Sequence, residues 1–331
     1  MLILITGGSG CGKSSYAEDL CSRLAKGVPM YYIAAMRPFG EGSAEKIGRH
    51  RRMRAAKGFM TIERYTDLAG LVLFRSKTDD GKPVALLECI ANLTANEMFD
   101  DEGNVRDPFG AVTEGIRALA AQCSHLVVVT NDVGSDGGGY GDLTEEYVRV
   151  VGKINASVAA EADAVCEMVF GCPTVLKGAL PELRGDAAAP REEQSETEEK
   201  DRKHMLLIVG AEGSGKRTYA EQLGYDLSSD RVLVHAEELV KDIAARDAKT
   251  VAKADVDSRV DAIMSGLGKY EVILANEVGN GVIPLEPEIR REREAAGRLT
   301  TLLAKRADTV VRMVCGIPTA LKGTLPEAAE E

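Results

Sequence analysis

An apolar run that empties into a glycine-rich turn and then a helix occupies residues 2–18, and it limits what this chain can become more than any other stretch. Leu2-Ile3-Leu4-Ile5-Thr6 reads as a buried strand. Gly7-Gly8-Ser9-Gly10-Cys11-Gly12-Lys13-Ser14 follows, and a helical pattern starts near Lys13. Gly7, Gly12, Lys13 and Ser14 fill the fixed positions of G-x-x-x-x-G-K-[ST], the P-loop. Its glycines let the backbone turn sharply and bring N–H groups against phosphate oxygens. The helix start adds a partial positive charge at the same place. Lys13 reaches the outer phosphates, and the Ser14 hydroxyl ligates Mg²⁺. The alternative is a strand-to-helix turn that binds nothing; strand, motif and helix in the required order argue against it. The motif specifies nucleotide phosphates and names no reaction.

Other functions are excluded by composition. A net charge of −11 opposes a general nucleic-acid binder and a polybasic membrane anchor. No apolar run is long enough to span a bilayer. The glycine-rich motif begins at once with no basic leader, so no signal peptide is expected. Seven cysteines are scattered without a C-x-x-C pair. They read as reduced cytoplasmic thiols, not as a disulfide framework or a zinc site. The lack of Trp leaves no stacking platform for single-stranded nucleic acid.

The 331 residues suggest two domains. Strand patterns cover residues 28–35, 59–63, 83–89, 125–130 and, as the last of the first domain, 164–170. Helical patterns cover 109–122 and 145–162, and residues 41–56 form a polar, helix-favouring stretch with a basic core. A polar loop is expected over 100–108 and a mobile Gly-rich insertion over 136–142. Strands alternating with helices predict an α/β fold, a mostly parallel sheet covered on both faces. Ligands bind such sheets at the carboxyl ends of the strands. The glycine-rich loop, Glu88 and Asn131-Asp132 all fall at such ends.

After a charged linker over 185–204 the chain repeats itself. Leu206-Leu207-Ile208-Val209-Gly210-Ala211-Glu212-Gly213-Ser214-Gly215-Lys216-Arg217 lines up with the opening stretch. Asn276-Glu277-Val278-Gly279 lines up with Asn131-Asp132-Val133-Gly134. Gly316-Ile317-Pro318-Thr319-Ala320-Leu321-Lys322 lines up with Gly171-Cys172-Pro173-Thr174-Val175-Leu176-Lys177. Three matched segments in one order make a tandem duplication. Lys13 to Lys177 spans 164 positions (177 − 13) and Lys216 to Lys322 spans 106 (322 − 216), so the second copy has lost much of its middle. The expected division is a catalytic domain over 1–184, the linker, and a shortened copy over 205–331.

Taken together, the P-loop, Tyr32-Ile33-Ala34-Ala35, Ile47-Gly48-Arg49-His50-Arg51-Arg52, Leu87-Glu88-Cys89, Asn131-Asp132-Val133-Gly134 and the terminal Gly-x-Pro…Leu-Lys resemble one family. It is the bifunctional adenosylcobinamide kinase / adenosylcobinamide-phosphate guanylyltransferase family of cobalamin biosynthesis. The resemblance covers essentially all of residues 1–180 and the second copy in pieces. It implies a RecA-like P-loop fold, ATP and GTP as substrates, a corrinoid partner (adenosylcobinamide) and a homo-oligomer. Two reactions follow from it: phosphorylation of the corrinoid hydroxyl, then transfer of GMP from GTP through a histidine. The resemblance puts nucleotide contacts at Gly7, Gly8, Ser9, Gly10, Cys11, Gly12, Lys13, Ser14, Ala34, Ala35, Met36, Arg51, Arg52, Met53, Arg54, Glu63 and Glu88. Ser14 and Glu88 are the expected Mg²⁺ residues, and Lys13 and His50 the catalytic ones.

These roles are chemically sensible. His50 is the only histidine in a cluster with Lys46, Arg49, Arg51, Arg52, Arg54 and Lys57. A nucleophilic histidine must be neutral, and nearby positive charge lowers its pKa from about 6.5. The same cations stabilise charge on phosphoryl oxygens. A solvated basic helix with an incidental histidine fits the residues alone equally well. Glu88 ends a buried strand and holds Mg²⁺ directly or through water, or else caps the next element. His125 and His235 read as structural. In the second copy Arg217 replaces the Ser/Thr of the motif, and no His50 segment or Glu-Cys strand end recurs. That copy reads as catalytically degenerate. A P-loop small-molecule kinase without guanylyl transfer and a non-enzymatic nucleotide-binding regulator are the competing readings.

Overall fold

The computed structural model describes residues 1–37, 57–74, 81–99, 106–135, 139–181, 204–241, 253–282, 284 and 286–326. Two sheets divide the chain, and each sheet with the segments that connect its strands makes one unit. The first unit runs β1 (Leu2–Thr6), α1 (Lys13–Ala25), β2 (Met30–Ala34), β3 (Phe59–Glu63), β4 (Val84–Glu88), α2 (Ile90–Met98), α3 (Phe109–Gln122), β5 (His125–Val129), α4 (Asp142–Glu161), β6 (Ala164–Val169) and β7 (Cys172–Lys177). Among the described residues its sheet has the order β3-β2-β4-β5-β1-β6-β7. The five pairings from β3 through to β6 are parallel. Strands buried on both faces need continuous apolar runs. Ile3, Ile5, Leu86 and Leu87 accordingly have no exposed surface. On one face Leu4, Ile33, Leu87 and Val128 pack with Leu93, Ile116 and Ile154 from α2, α3 and α4. The alternate residues, Tyr32, Leu86 and Glu88 among them, face α1.

The second unit runs β8 (Leu206–Gly210), α5 (Lys216–Gln222), β9 (Val232–Leu233), α6 (Lys253–Gly266), β10 (Val272–Asn276), α7 (Pro287–Arg306), β11 (Thr309–Val314) and β12 (Ile317–Lys322). Its sheet order is β12-β11-β8-β10-β9. Aligned through the two glycine-rich loops, this is the first sheet's β7-β6-β1-β5-β4. Among the described residues nothing corresponds to β2 and β3. Among the described residues the second sheet thus lacks the outer edge and keeps the strands that flank the loop. Leu207, Val209, Ile273 and Val310 pack on Leu299 and Leu303 of α7.

Several elements differ from the sequence reading. β6 is not the last strand of the first unit. Phe170 and Gly171 (φ 48° and 83°) turn the chain into β7, and Cys315 and Gly316 (φ 50° and 81°) do the same before β12. Two successive positive φ values are the mark of the tight hairpin turn whose twist suits adjoining strands. Pro173 and Pro318 hid these strands, but both lie on edge strands, where proline is tolerated. Helix α2 was not expected, and α4 begins at Asp142. The repeated Leu-Lys has a structural role. Lys177 Nζ donates to Ala159 O and Ala160 O at 3.0 and 2.8 Å. Lys322 Nζ donates to Ala304 O, Lys305 O and Ala307 O at 3.2, 2.8 and 2.5 Å. Each caps the carbonyl end of the long helix before it, where a cation is favoured.

The basic stretch over 41–56, the loop segment 100–105, residues 136–138 of the Gly-rich insertion and the linker over 185–203 lie outside the described residues. Among the described residues no helix is long and apolar enough to cross a membrane.

Candidate active site

Three strand ends and one loop assemble the site in the first unit. The loop Gly7–Ser14 joins β1 to α1 at the carboxyl edge of the sheet. Gly12 has φ +90°, the left-handed region that side chains rarely adopt, so glycine is favoured there. Gly171 N donates to Cys11 O at 2.7 Å, and Gly316 N repeats the bond to Ser214 O at 3.0 Å. The Gly of each Gly-x-Pro turn thus braces the glycine-rich loop of its own copy. Asp132 N and Glu277 N likewise donate to Gly7 O and Gly210 O, at 3.2 and 3.1 Å.

Lys13 is buried at the start of α1. Ser14, next to it, donates from Oγ to Glu88 Oε1 at 2.5 Å. The second oxygen of Glu88 accepts from the Tyr32 hydroxyl. Cys89, behind Glu88, is buried, and burial pushes its thiol up to about 11. It is a neutral packing group at ordinary pH. A hydroxyl and a carboxylate in mutual contact are hard oxygen donors, the kind Mg²⁺ takes alongside substrate phosphates. The residues present therefore fit that ion.

Strand register brings the remaining described residues into one row. Ala34 pairs with Glu63 on one side and Glu88 on the other. Ala35 N donates to Glu88 O at 2.9 Å, and Arg64 N to Ala34 O at 3.0 Å. Glu63 lies two strand spacings from Glu88, roughly 10 Å along the sheet. Its carboxylate accepts from Tyr65 Oη at 2.9 Å. Met36 is exposed just beyond the row. The structure thus gathers Gly7 to Ser14, Ala34, Ala35, Met36, Glu63 and Glu88 at one edge. His50, Arg51, Arg52, Met53 and Arg54 lie outside the described residues. Two further residues belong here, and no motif assigned either of them a role. Tyr32 is one. The other is Asn96 of α2, whose Nδ2 donates to Ala35 O at 2.7 Å and Tyr65 O at 3.0 Å, tying two strand ends together. The helical pattern over residues 90–98 is the only signal for Asn96; Tyr32 lies in a segment that carries the resemblance, which gives it no role.

The corresponding edge of the second unit is chemically different. Ile273 pairs with Leu233 as Val128 pairs with Leu87. Continuing by one residue sets Val234 where the first sheet has Glu88. Arg217 stands where the first loop has Ser14, so both members of the hydroxyl–carboxylate pair are gone. Lys216 Nζ donates to its own loop carbonyls, Gly210 O at 3.0 Å and Ala211 O at 2.7 Å. Burial holds its pKa below the ordinary value, against the pull of Glu212, Glu237 and Glu277. A cavity of about 230 Å³ remains, lined by Ser214, Lys216, Arg217, Val234, His235 and Asn276 among others. His235 sits 3.3 Å from Glu237.

A parallel sheet with this loop at the carboxyl end of β1 defines a P-loop α/β nucleotide-binding protein. Within that class the chain belongs to the cobinamide kinase / cobinamide phosphate guanyltransferase family, whose model matches residues 3–176 and 232–321. It is similar to the bifunctional adenosylcobalamin biosynthesis protein CobU of Escherichia coli, 30% identical over 188 residues, covering 54% of this chain and 100% of that protein. CobU of Salmonella typhimurium is 31% identical over 189 residues, covering 54% and 100%. CobP of Pseudomonas aeruginosa is 28% identical over 175 residues, covering 53% and 96%. The chain is accordingly an enzyme of nucleotide-dependent phosphoryl and nucleotidyl transfer. The family match passes over residues 177–231, which contain the second glycine-rich loop.

Proposed function

We propose that the first unit phosphorylates the hydroxyl of adenosylcobinamide with ATP or GTP and then converts the product to adenosylcobinamide-GDP. The observation that carries this reading is the contact of Ser14 with Glu88 beside buried Lys13. Backbone N–H groups of Gly8 to Ser14 bind the outer phosphates, and Lys13 balances the charge that builds there in the transition state. Ser14 and Glu88 would hold Mg²⁺. When bound, that ion neutralises charge on the phosphate oxygens. Glu88 also takes the Ser14 proton in a hydrogen bond, which turns a lone pair of Oγ outward. In the second reaction His50 attacks the α-phosphorus of GTP, the bond to the β-phosphate oxygen breaks, and pyrophosphate leaves. The corrinoid phosphate then displaces the histidine and carries GMP away. Splitting the transfer in this way replaces one hard step with two easier ones. The second unit, without the Ser14–Glu88 pair, does no phosphoryl transfer, and the protein assembles as a homo-oligomer.

The experiment is product analysis by mass spectrometry with adenosylcobinamide, ATP and GTP. The reading expects a phosphorylated corrinoid, then its GDP derivative, and neither from Lys13→Ala. Both reactions use this one nucleotide site in the reading, so normal guanylylation of supplied adenosylcobinamide phosphate by Lys13→Ala would refute it.

A further inference from the structure

No motif assigns Tyr32 a role, yet it touches the centre of the site. Register pairs Tyr32 with Leu86 and Ala34 with Glu88. Alternate residues of a strand share a face, so Tyr32 and Glu88 lie on the face that carries α1. The Tyr32 hydroxyl donates to Glu88 Oε2, while Ser14 holds Oε1 at 2.5 Å. One carboxylate is thereby fixed through both oxygens, by donors from β2 and α1. The ring that supplies the phenol is itself held. Tyr32 is 6% exposed and meets Phe59 edge to face, with centroids 6.1 Å apart at 88°.

The chemistry of the donor matters. A glutamate at a strand end has three side-chain torsions to settle, and two hydrogen bonds settle them together. A lysine or arginine in Tyr32's place would do so by cancelling the charge. A phenol holds the carboxylate and leaves its negative charge for a cation. The second unit is consistent with a linked set. Ser14 is replaced by Arg217, Glu88 by Val234, and among the described residues the strand that would carry a Tyr32 counterpart is missing.

We propose that Tyr32 is a positioning residue: its phenol fixes the pose of Glu88, and through Glu88 the Ser14 hydroxyl, for the metal that accompanies the nucleotide. This rests on the reading of Ser14 and Glu88 as the metal residues. Tyr32 acts through its contact with Glu88.

Calorimetry on the full chain tests it, with a non-hydrolysable GTP analogue titrated with and without Mg²⁺. The readout is the gain in affinity that Mg²⁺ confers. Tyr32→Phe keeps the ring and its packing, so its melting temperature without ligand and its metal-free affinity should stay at wild-type values. Its Mg²⁺-conferred gain should fall about ten-fold, the scale of one hydrogen bond to a charged group. Glu88→Gln should remove the gain, and adding Tyr32→Phe to it should change nothing more. An undiminished gain in Tyr32→Phe, with Glu88→Gln defective, overturns the role of Tyr32 alone. An undiminished gain in Glu88→Gln overturns the metal reading beneath it. An equal loss of metal-free binding in Tyr32→Phe would show a general structural role and also overturn the proposal.

Discussion

Ser14 and Glu88 are 74 positions apart in the chain and 2.5 Å apart in the fold. β4 delivers the carboxylate, the helix after the glycine-rich loop delivers the hydroxyl, and β5 spaces the two strands that carry them. The second unit preserves the loop, the bracing glycine of the hairpin and the backbone bond from the strand after it. Among the described residues it lacks the Ser14–Glu88 pair and the two outer strands.

Lys216→Ala should leave steady-state turnover near wild type, because no hydroxyl–carboxylate pair stands beside it. The same change removes a buried ammonium from two carbonyls, so the second unit should lose about 1–3 kcal/mol of stability. Thermal unfolding and kinetics on one preparation check both halves. A folded but inactive variant would show that the second loop takes part in catalysis.

Lys177→Met and Lys322→Met should each lower stability by about 1 kcal/mol or less, since each removes a cation from a helix carbonyl end. Activity per folded molecule should not change. Differential scanning calorimetry and turnover at a temperature well below the transition would show it. A loss of turnover without a loss of stability would give these lysines a part in the chemistry.

The site was partly legible in the sequence, and the reason differs residue by residue. Gly7 to Ser14 could be read because loop, helix start and phosphate site are one continuous stretch. Glu88 could be read because it closes an apolar run. The tandem copy followed from three matched segments. Tyr32 could not be read, because its contact with Glu88 depends on which strands are neighbours and in what register, and no local pattern encodes that. β7 and β12 were missed for another reason: exposed edge strands with a proline lack the apolar run that marked the others. Asn96 was missed because its work is to bond two backbone carbonyls, which leaves no trace in side-chain spacing.

Burial sets the pH behaviour of the thiols. Burial raises Cys89 from 9.0 to about 11 and Cys123 from 9.0 to about 12. A raised pKa means that the folded chain holds protons the unfolded chain gives up. Stability is therefore full below about pH 9 and falls as pH climbs toward 11 and 12. Both thiols should also resist iodoacetamide in the folded protein at pH 7.5. Chemical denaturation at pH 7.5 and pH 10 checks the first point and mass spectrometry the second. Rapid alkylation of Cys89 in the native state would contradict its burial.

The central claim is that one chain performs both transfers, the second through a covalent histidine. The most direct measurement is incubation with α-³²P-GTP and Mg²⁺, followed by denaturation and treatment with acid or base. Wild type should carry label that acid removes and base does not, the behaviour of a phosphorus–nitrogen bond. His50→Ala should carry none while retaining kinase activity on adenosylcobinamide. Full guanylylation of the corrinoid phosphate by His50→Ala, or a wild type that turns over without ever holding label, would contradict the account.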